Sequence, residues 1–122
     1  MDNHKKTLII VASENPERYS YLAINRLSKY GHEVVAISHK SGEVFGVKFE
    51  TEKRAFEGID TVSLYINANI QKEYYDYIVS LHPKRIIFNP GTENNELSAL
   101  AKANGIHPQA SCTLVLLSTG QY

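Results

Sequence analysis

This 122-residue chain carries a single cysteine, Cys112. An internal disulfide framework is therefore excluded, and a reducing compartment such as the cytoplasm suits the composition. The chain has no excess charge of either sign: Lys plus Arg and Asp plus Glu each number 13. Such a balance supplies no global field toward DNA, RNA or an anionic membrane surface. No apolar run is long enough to span a bilayer. The opening "MDNHKKTLIIVAS" has basic residues before apolar ones, but it lacks the apolar length and cleavage site of a secretory signal. Residues 1–5 are expected to form a frayed tail. Internal repeats, low-complexity tracts and linkers are also missing. Residues 1–122 thus read as one domain, large enough to bury a core without disulfides or metals.

The common catalytic patterns are missing too. His4, His32, His39, His82 and His107 are scattered, with no pair at metal-ligand spacing. There is no Gly-x-Ser-x-Gly elbow and no P-loop. Cys112 lies at the edge of an apolar run and reads as a small buried side chain rather than a nucleophile. The expectation is a protein with no catalytic residue and no metal site.

What is present is an alternation of strand and helix patterns. Thr7 to Ala12 is an unbroken apolar run suited to a strand buried on both faces. Tyr19, Leu22, Ala23, Leu27 and Tyr30 recur at helical spacing. Asn15 and Pro16 suit the N-cap and first residue of a helix over Glu17 to Tyr30, with Gly31 as its stop and Leu22 and Leu27 facing the sheet. His32 to Ser38, Asp60 to Asn67, Arg85 to Asn89 and the stretch "IHPQAS" read as four further strands. Ile70, Tyr74, Tyr77, Ile78 and Leu81 mark one more helix, and Leu97, Leu100 and Ala101 another. "EVFGVKFE" reads as a short extended segment turning at Gly46, "EKRAFEG" as one or two helical turns, and "CTLVLLST" as a closing helical turn or two. The pattern predicts an α/β domain: a Rossmann-like, doubly wound, mostly parallel five-stranded sheet in the order 3-2-1-4-5.

In such a sheet, ligands bind beyond the carboxyl ends of the strands. The first loop, "ASENPERYS", has no glycine. A helix amino end still presents free N–H groups and a positive dipole end to a phosphate. Ser13, Asn15 and Ser20 offer donors and Arg18 a charge, although Ser13 and Asn15 also suit a purely capping role. After the second strand stands Ser38-His39-Lys40, where an NAD site usually places a carboxylate. A cation there favours a phosphorylated ribose, as in NADP or coenzyme A; the alternative is a solvated surface lysine. Tyr65, at a strand end, offers a ring to a ligand. Pro90-Gly91 makes a tight turn, and Thr92 or Asn94 suits the cap of the next helix.

The stretches "ASENPERYSY", "GHEVVAIS", "GEVFG", "DTVSLYIN", "PKRIIFNPGTENNEL" and "CTLVLLSTGQY" together resemble the stand-alone CoA-binding domain family. These are small Rossmann-like proteins related to the CoA-binding domain of succinyl-CoA synthetase α subunits. The resemblance spans nearly the whole chain, and "FNPGTEN" and "CTLVLLSTGQ" are its most specific parts. It implies coenzyme A or acyl-CoA bound along the strand ends. Ala12, Ser13, Asn15, Arg18 and Tyr21 would line the first loop, and Ser38, His39 and Lys40 would meet the adenosine and ribose phosphate. Tyr65, Ile66, Asn67, Asn89, Pro90 and Gly91 would flank the pyrophosphate or pantetheine. Two positions depart from the family pattern. Val11 stands where the family usually has glycine, and Ser38-His39-Lys40 replaces Asn-Pro-Lys.

The leading expectation is a non-catalytic binding protein for a small nucleotide ligand, with no nucleic-acid or membrane partner. A homo-oligomer or an unidentified protein partner stays open. The alternatives are a small NADP- or acyl-CoA-dependent enzyme, or a regulatory interaction protein with a vestigial nucleotide site.

Overall fold

The computed structural model describes residues 4–122. The first strand, β1 (Thr7–Ile10), has all four side chains buried. It lies between β2 (Val34–Ile37) and β5 (Thr61–Leu64), parallel to both. Successive strand side chains point to opposite faces. Leu8 and Ile10 accordingly join one apolar cluster and Ile9 another. This two-sided burial explains why the run in sequence is unbroken rather than alternating.

The chain continues through α1 (Tyr19–Lys29), β2, β3 (Glu43–Val44), β4 (Val47–Glu50) and β5. After β5 come α2 (Ala68–Gln71), a 3₁₀ turn over Lys72–Tyr74, and α3 (Tyr75–Leu81). The last elements are β6 (Arg85–Phe88), α4 (Asn95–Ala103), β7 (His107–Ala110) and α5 (Thr113–Ser118). One face of the sheet packs against α1 and α5, through Ile24, Leu27 and Leu117. The other packs against α3 and α4, through Ile78, Leu97 and Ala101.

The sheet corrects the expected architecture. Among the described residues it has seven strands, in the order β3-β4-β2-β1-β5-β6-β7, and not five in the order 3-2-1-4-5. The strand after Asp60 pairs directly with β1 instead of lying beyond β2. The place beyond β2 belongs to β4, parallel to β2, and β3 is antiparallel to β4 at the edge, so the sheet is mixed. The stretch "EVFGVKFE" is therefore a hairpin. Its central residues Phe45 and Gly46 have φ of 50° and 81°, the positive values that match a two-residue turn to strand twist.

Local expectations shift as well. The segment Glu52 to Gly58 forms no helix. The helix expected over Ile70 to Leu81 is divided by the 3₁₀ turn. Helix α1 starts at Tyr19, because Asn15 and Pro16 form a separate turn before it. Leu22 is half-buried, and Ile24 takes the inward position beside Leu27.

At the amino ends of the strands Lys5 meets Tyr122. Of the tail expected over residues 1–5, residues 1–3 lie outside the described residues, and Lys5 is tied down. Its backbone N–H donates to His32 Nδ1 at 2.9 Å, and its Nζ donates to the Tyr122 carbonyl at 2.6 Å. The Tyr122 hydroxyl pairs with Thr7 Oγ1, and the Arg85 guanidinium stacks on the Tyr122 ring at 4.5 Å.

Leu27→Ala is expected to cost about 2–5 kcal/mol in denaturant unfolding. Leu27→Asp should not fold, since it buries an unpaired charge; a soluble, cooperatively unfolding Leu27→Asp protein would refute the placement. Burial lowers the pKa of His32 from 6.5, reinforced by His4, Lys5 and Arg85 and opposed by Asp60. The unfolded chain then takes up this proton more readily than the folded one, so the stability His32 contributes is full above pH 6.5 and lost as pH falls below it. Thermal midpoints should fall more steeply with acidification in the parent than in His32→Gln; identical slopes would remove His32 as the cause.

Candidate functional site

The strand order reverses direction at β1, with β2 on one side and β5 on the other. Chain leaving the carboxyl ends of these strands diverges and opens a cleft there. The cleft has two adjoining compartments of about 550 and 220 Å³. Arg18, Ser20, Tyr65 and Ile66 border both.

The larger compartment lies between the first loop and the end of β2. Val11, Ala12, Ser13 and Asn15 wall one side, and Ser38, His39 and Lys40 the other. Val11 is half-buried and also packs against the cluster under α3 and α4. His39 and Lys40 are exposed. Ser38 is not available to a ligand in the same way. It is buried, and its hydroxyl donates to the Ala12 carbonyl at 2.8 Å, tying the end of β2 to the end of β1.

The first loop holds its shape through short-range bonds. The Asn15 N–H donates to Ser13 Oγ, and the Glu17 N–H donates to Asn15 Oδ1, both at 3.0 Å. Asn15 thus shapes the turn ahead of α1, and no side chain caps the helix itself, whose N-cap residue is Arg18. Among the described residues the N–H groups of Tyr19 and Ser20 find no acceptor outside the helix, and the first turn of a helix offers none inside it. Arg18 and Lys40 have no ion-pair partner among the described residues.

The smaller compartment lies between the ends of β5 and β6, bordered by Tyr65, Ile66, Asn67, Pro90 and Gly91. Asn67 caps α2, its Oδ1 accepting from the Ile70 N–H at 3.1 Å. Gly91 turns with φ of 89°, which a side chain would strain. Asn89 is buried beneath. Its Nδ2 donates to Ser63 Oγ and the Leu64 carbonyl, and its Oδ1 accepts from the Thr113 N–H. It fastens β5, β6 and α5 together and has no free polar atom. The Ser63 and Thr113 hydroxyls pair with each other at 2.8 Å. The neighbouring Tyr65 hydroxyl is thereby left buried without a well-aligned partner. Burial raises the Tyr65 pKa to about 12, so at neutral pH the phenol keeps its proton.

Of the residues expected at the site, Tyr21 lies outside both compartments. It packs on the β3–β4 hairpin, with its ring edge-on to Phe45 at 5.3 Å. Several residues that border the cleft or build its walls were not expected. Glu14 brings a carboxylate into the larger compartment, held by the Glu43 N–H at 3.1 Å. A Cβ at Gly42 would come within 2.7 Å of the Glu14 carboxyl carbon, so a side chain there would push the carboxylate aside. Gln71 is fully buried behind the smaller compartment. Its Nε2 donates to the Ile66 and Thr92 carbonyls at 2.8 and 2.7 Å, and its Oε1 accepts from Asn94 Nδ2. Asn94, not Thr92, caps α4. A polar residue at an inward helical position, between Ile70 and Tyr74, was the signal for Gln71. Glu14 gave no such signal, because its partner comes from the hairpin.

A family model described as a CoA binding domain matches residues 5–118. A crystal structure of an uncharacterized protein is 50% identical, with a TM-score of 0.96 over 99% of this chain and 100% of that one. A hypothetical protein from Pyrococcus horikoshii OT3 is 26% identical, with a TM-score of 0.83 over 94% and 82%. A protein from Thermus thermophilus, at 17% identity, shares the fold, with a TM-score of 0.87 over 98% and 91%. No curated protein matches the chain.

Gln71→Met keeps the volume but leaves the Ile66 and Thr92 carbonyls without their donor. A loss of about 2–3 kcal/mol is expected in urea unfolding. A change within about 0.5 kcal/mol, the range of a neutral surface substitution, would show that the cleft walls do not depend on it.

Proposed function

The chain belongs to the CoA-binding domain family, and we propose that it holds coenzyme A or an acyl-CoA across the carboxyl ends of its parallel strands. The adenosine and its ribose phosphate occupy the larger compartment, where exposed Lys40 and His39 stand. The diphosphate sits at the uncapped amino end of α1, met by the Tyr19 and Ser20 N–H groups and by the Arg18 guanidinium. The pantetheine arm runs on past Tyr65 and Ile66 toward Gly91. Glu14 faces the larger compartment as an acceptor for donors on the nucleoside.

One observation carries the reading: the unsatisfied helix terminus and unpaired Arg18 lie at the junction of the two compartments, in a chain matched to a CoA binding domain along residues 5–118. Val11 supports an open cleft, since part of its side chain is packed into the core. We read the protein as binding its ligand without transforming it. The polar side chains deepest in the walls, Ser38 and Asn89, are committed to backbone groups, so they hold the cleft together rather than offering acid–base chemistry.

Calorimetry should detect CoA more strongly than NADP and NAD. No CoA binding at about millimolar concentration, an affinity of only some 4 kcal/mol, overturns the reading. Lys40→Ala should weaken CoA roughly five-fold, consistent with one exposed charge contact, while leaving dephospho-CoA unchanged. Equal weakening of both would remove Lys40 from the ribose phosphate.

A further inference from the structure

Beyond the smaller compartment the cleft continues into a third cavity of about 450 Å³. Tyr19, Tyr65 and Pro90 are shared walls. Its far side is formed by Cys112, Leu114 and Val115, at the start of α5. Its chemistry differs from that of the other two. Among the described residues, no ionisable group other than the Tyr19 and Tyr65 phenols and the Cys112 thiol borders it, and the amide of Asn89 at its edge is fully spent on Ser63, Leu64 and Thr113. Its lip carries Tyr19 and Val115, which are 69% and 55% exposed, two of the large apolar side chains that the fold leaves in water. Neither packs in an apolar cluster of the core.

Three compartments thus follow one another along a single path: a cation-rimmed one, one at a helix amino end, and an apolar one. Coenzyme A has the same order of chemistry, from phosphorylated adenosine through diphosphate to the thiol and whatever it carries. We propose that the third cavity binds the aliphatic chain of an acyl-CoA thioester, so that the protein prefers short acyl-CoA to free CoA. This rests on the CoA reading above and assigns the residues that would read the acyl group. Tyr65 borders all three compartments. Its phenol stays protonated at neutral pH, so it places no negative charge beside the thioester. The continuity with the cleft favours an acyl chain over a second copy of the protein as the occupant.

The test is calorimetry on the full chain with CoA, acetyl-CoA, butyryl-CoA and hexanoyl-CoA. Each methylene buried should tighten binding about four-fold, so hexanoyl-CoA should bind at least about ten-fold better than CoA. Val115→Glu, an exposed position outside the CoA contacts, should erase this gradient and leave the affinity for CoA itself unchanged. If CoA binds and the gradient is flat or reversed, the acyl assignment is overturned while the CoA reading stands. If CoA does not bind, both fall. Sedimentation run in parallel covers the remaining occupant: a dimer that Val115→Glu dissociates and hexanoyl-CoA does not would give the cavity to a second copy and overturn the proposal.

Discussion

The burial of β1 is the constraint on which the rest depends. Its four residues have no exposed surface, with parallel strands on both edges and helices over both faces. A strand enclosed in this way must shed all its polar obligations into the ladder, and Leu8, Ile9 and Ile10 supply only hydrocarbon to the two cores. Enclosure also dictates what happens at the strand's end. The chain emerges at Val11 between two diverging neighbours, and the first surface it meets is the gap between the ends of β2 and β5. The cleft is a consequence of where the central strand stops.

The polar side chains around that gap divide into two groups with different work. Ser38, Asn67, Asn89, Gln71 and Asn94 spend their hydrogen bonds on the protein: between strand ends, at helix caps, and across loops. Buried polar groups left unpaired are costly, so Ser38, Gln71 and Asn89, the buried ones, are satisfied before any ligand arrives. Arg18, His39 and Lys40 lie at the solvent edge and remain available. The buried polar side chains of the walls are therefore neutral and paired, and the cations sit on the exposed rim. This division suits recognition of a phosphorylated ligand, because the rim side chains give up a hydrated state rather than an internal partner.

The hairpin of β3 and β4 shapes the other end of the cleft. Phe49 is buried beside β2, Gly42 admits the Glu14 carboxyl group, and the Glu43 N–H binds it. An element that extends the sheet thus also closes the larger compartment and sets a carboxylate inside it. Tyr21 serves the same hairpin through Phe45, which explains its position away from the cleft despite its place in the first helix.

Much of this was legible in the amino-acid order. The apolar run of β1, the helical spacing around Leu27 and the cation at Lys40 are local patterns, and local patterns report burial and charge directly. The family resemblance was legible for the same reason, in contiguous stretches such as "FNPGTEN". Strand order was not, because periodicity shows that a strand is buried but not which neighbour buries it. The short pairing of β2 with β4, only Ala36 with Phe49 and Ile37 with Glu50, leaves little trace in sequence. The roles of the polar residues were equally hidden. Ser38 meets Ala12 from 26 positions away and Asn89 meets Thr113 from 24. Sequence by itself determined the buried parallel strands such as β1, the helical spacing around Leu27 and which loops carry charge, since these follow from neighbours along the chain, but not the β3–β4 hairpin or the unhelical segment before Gly58. Tertiary structure alone decided which polar side chains hold the cleft together and which remain free at its rim, since a hydrogen bond between distant segments exists only once the sheet has brought them side by side.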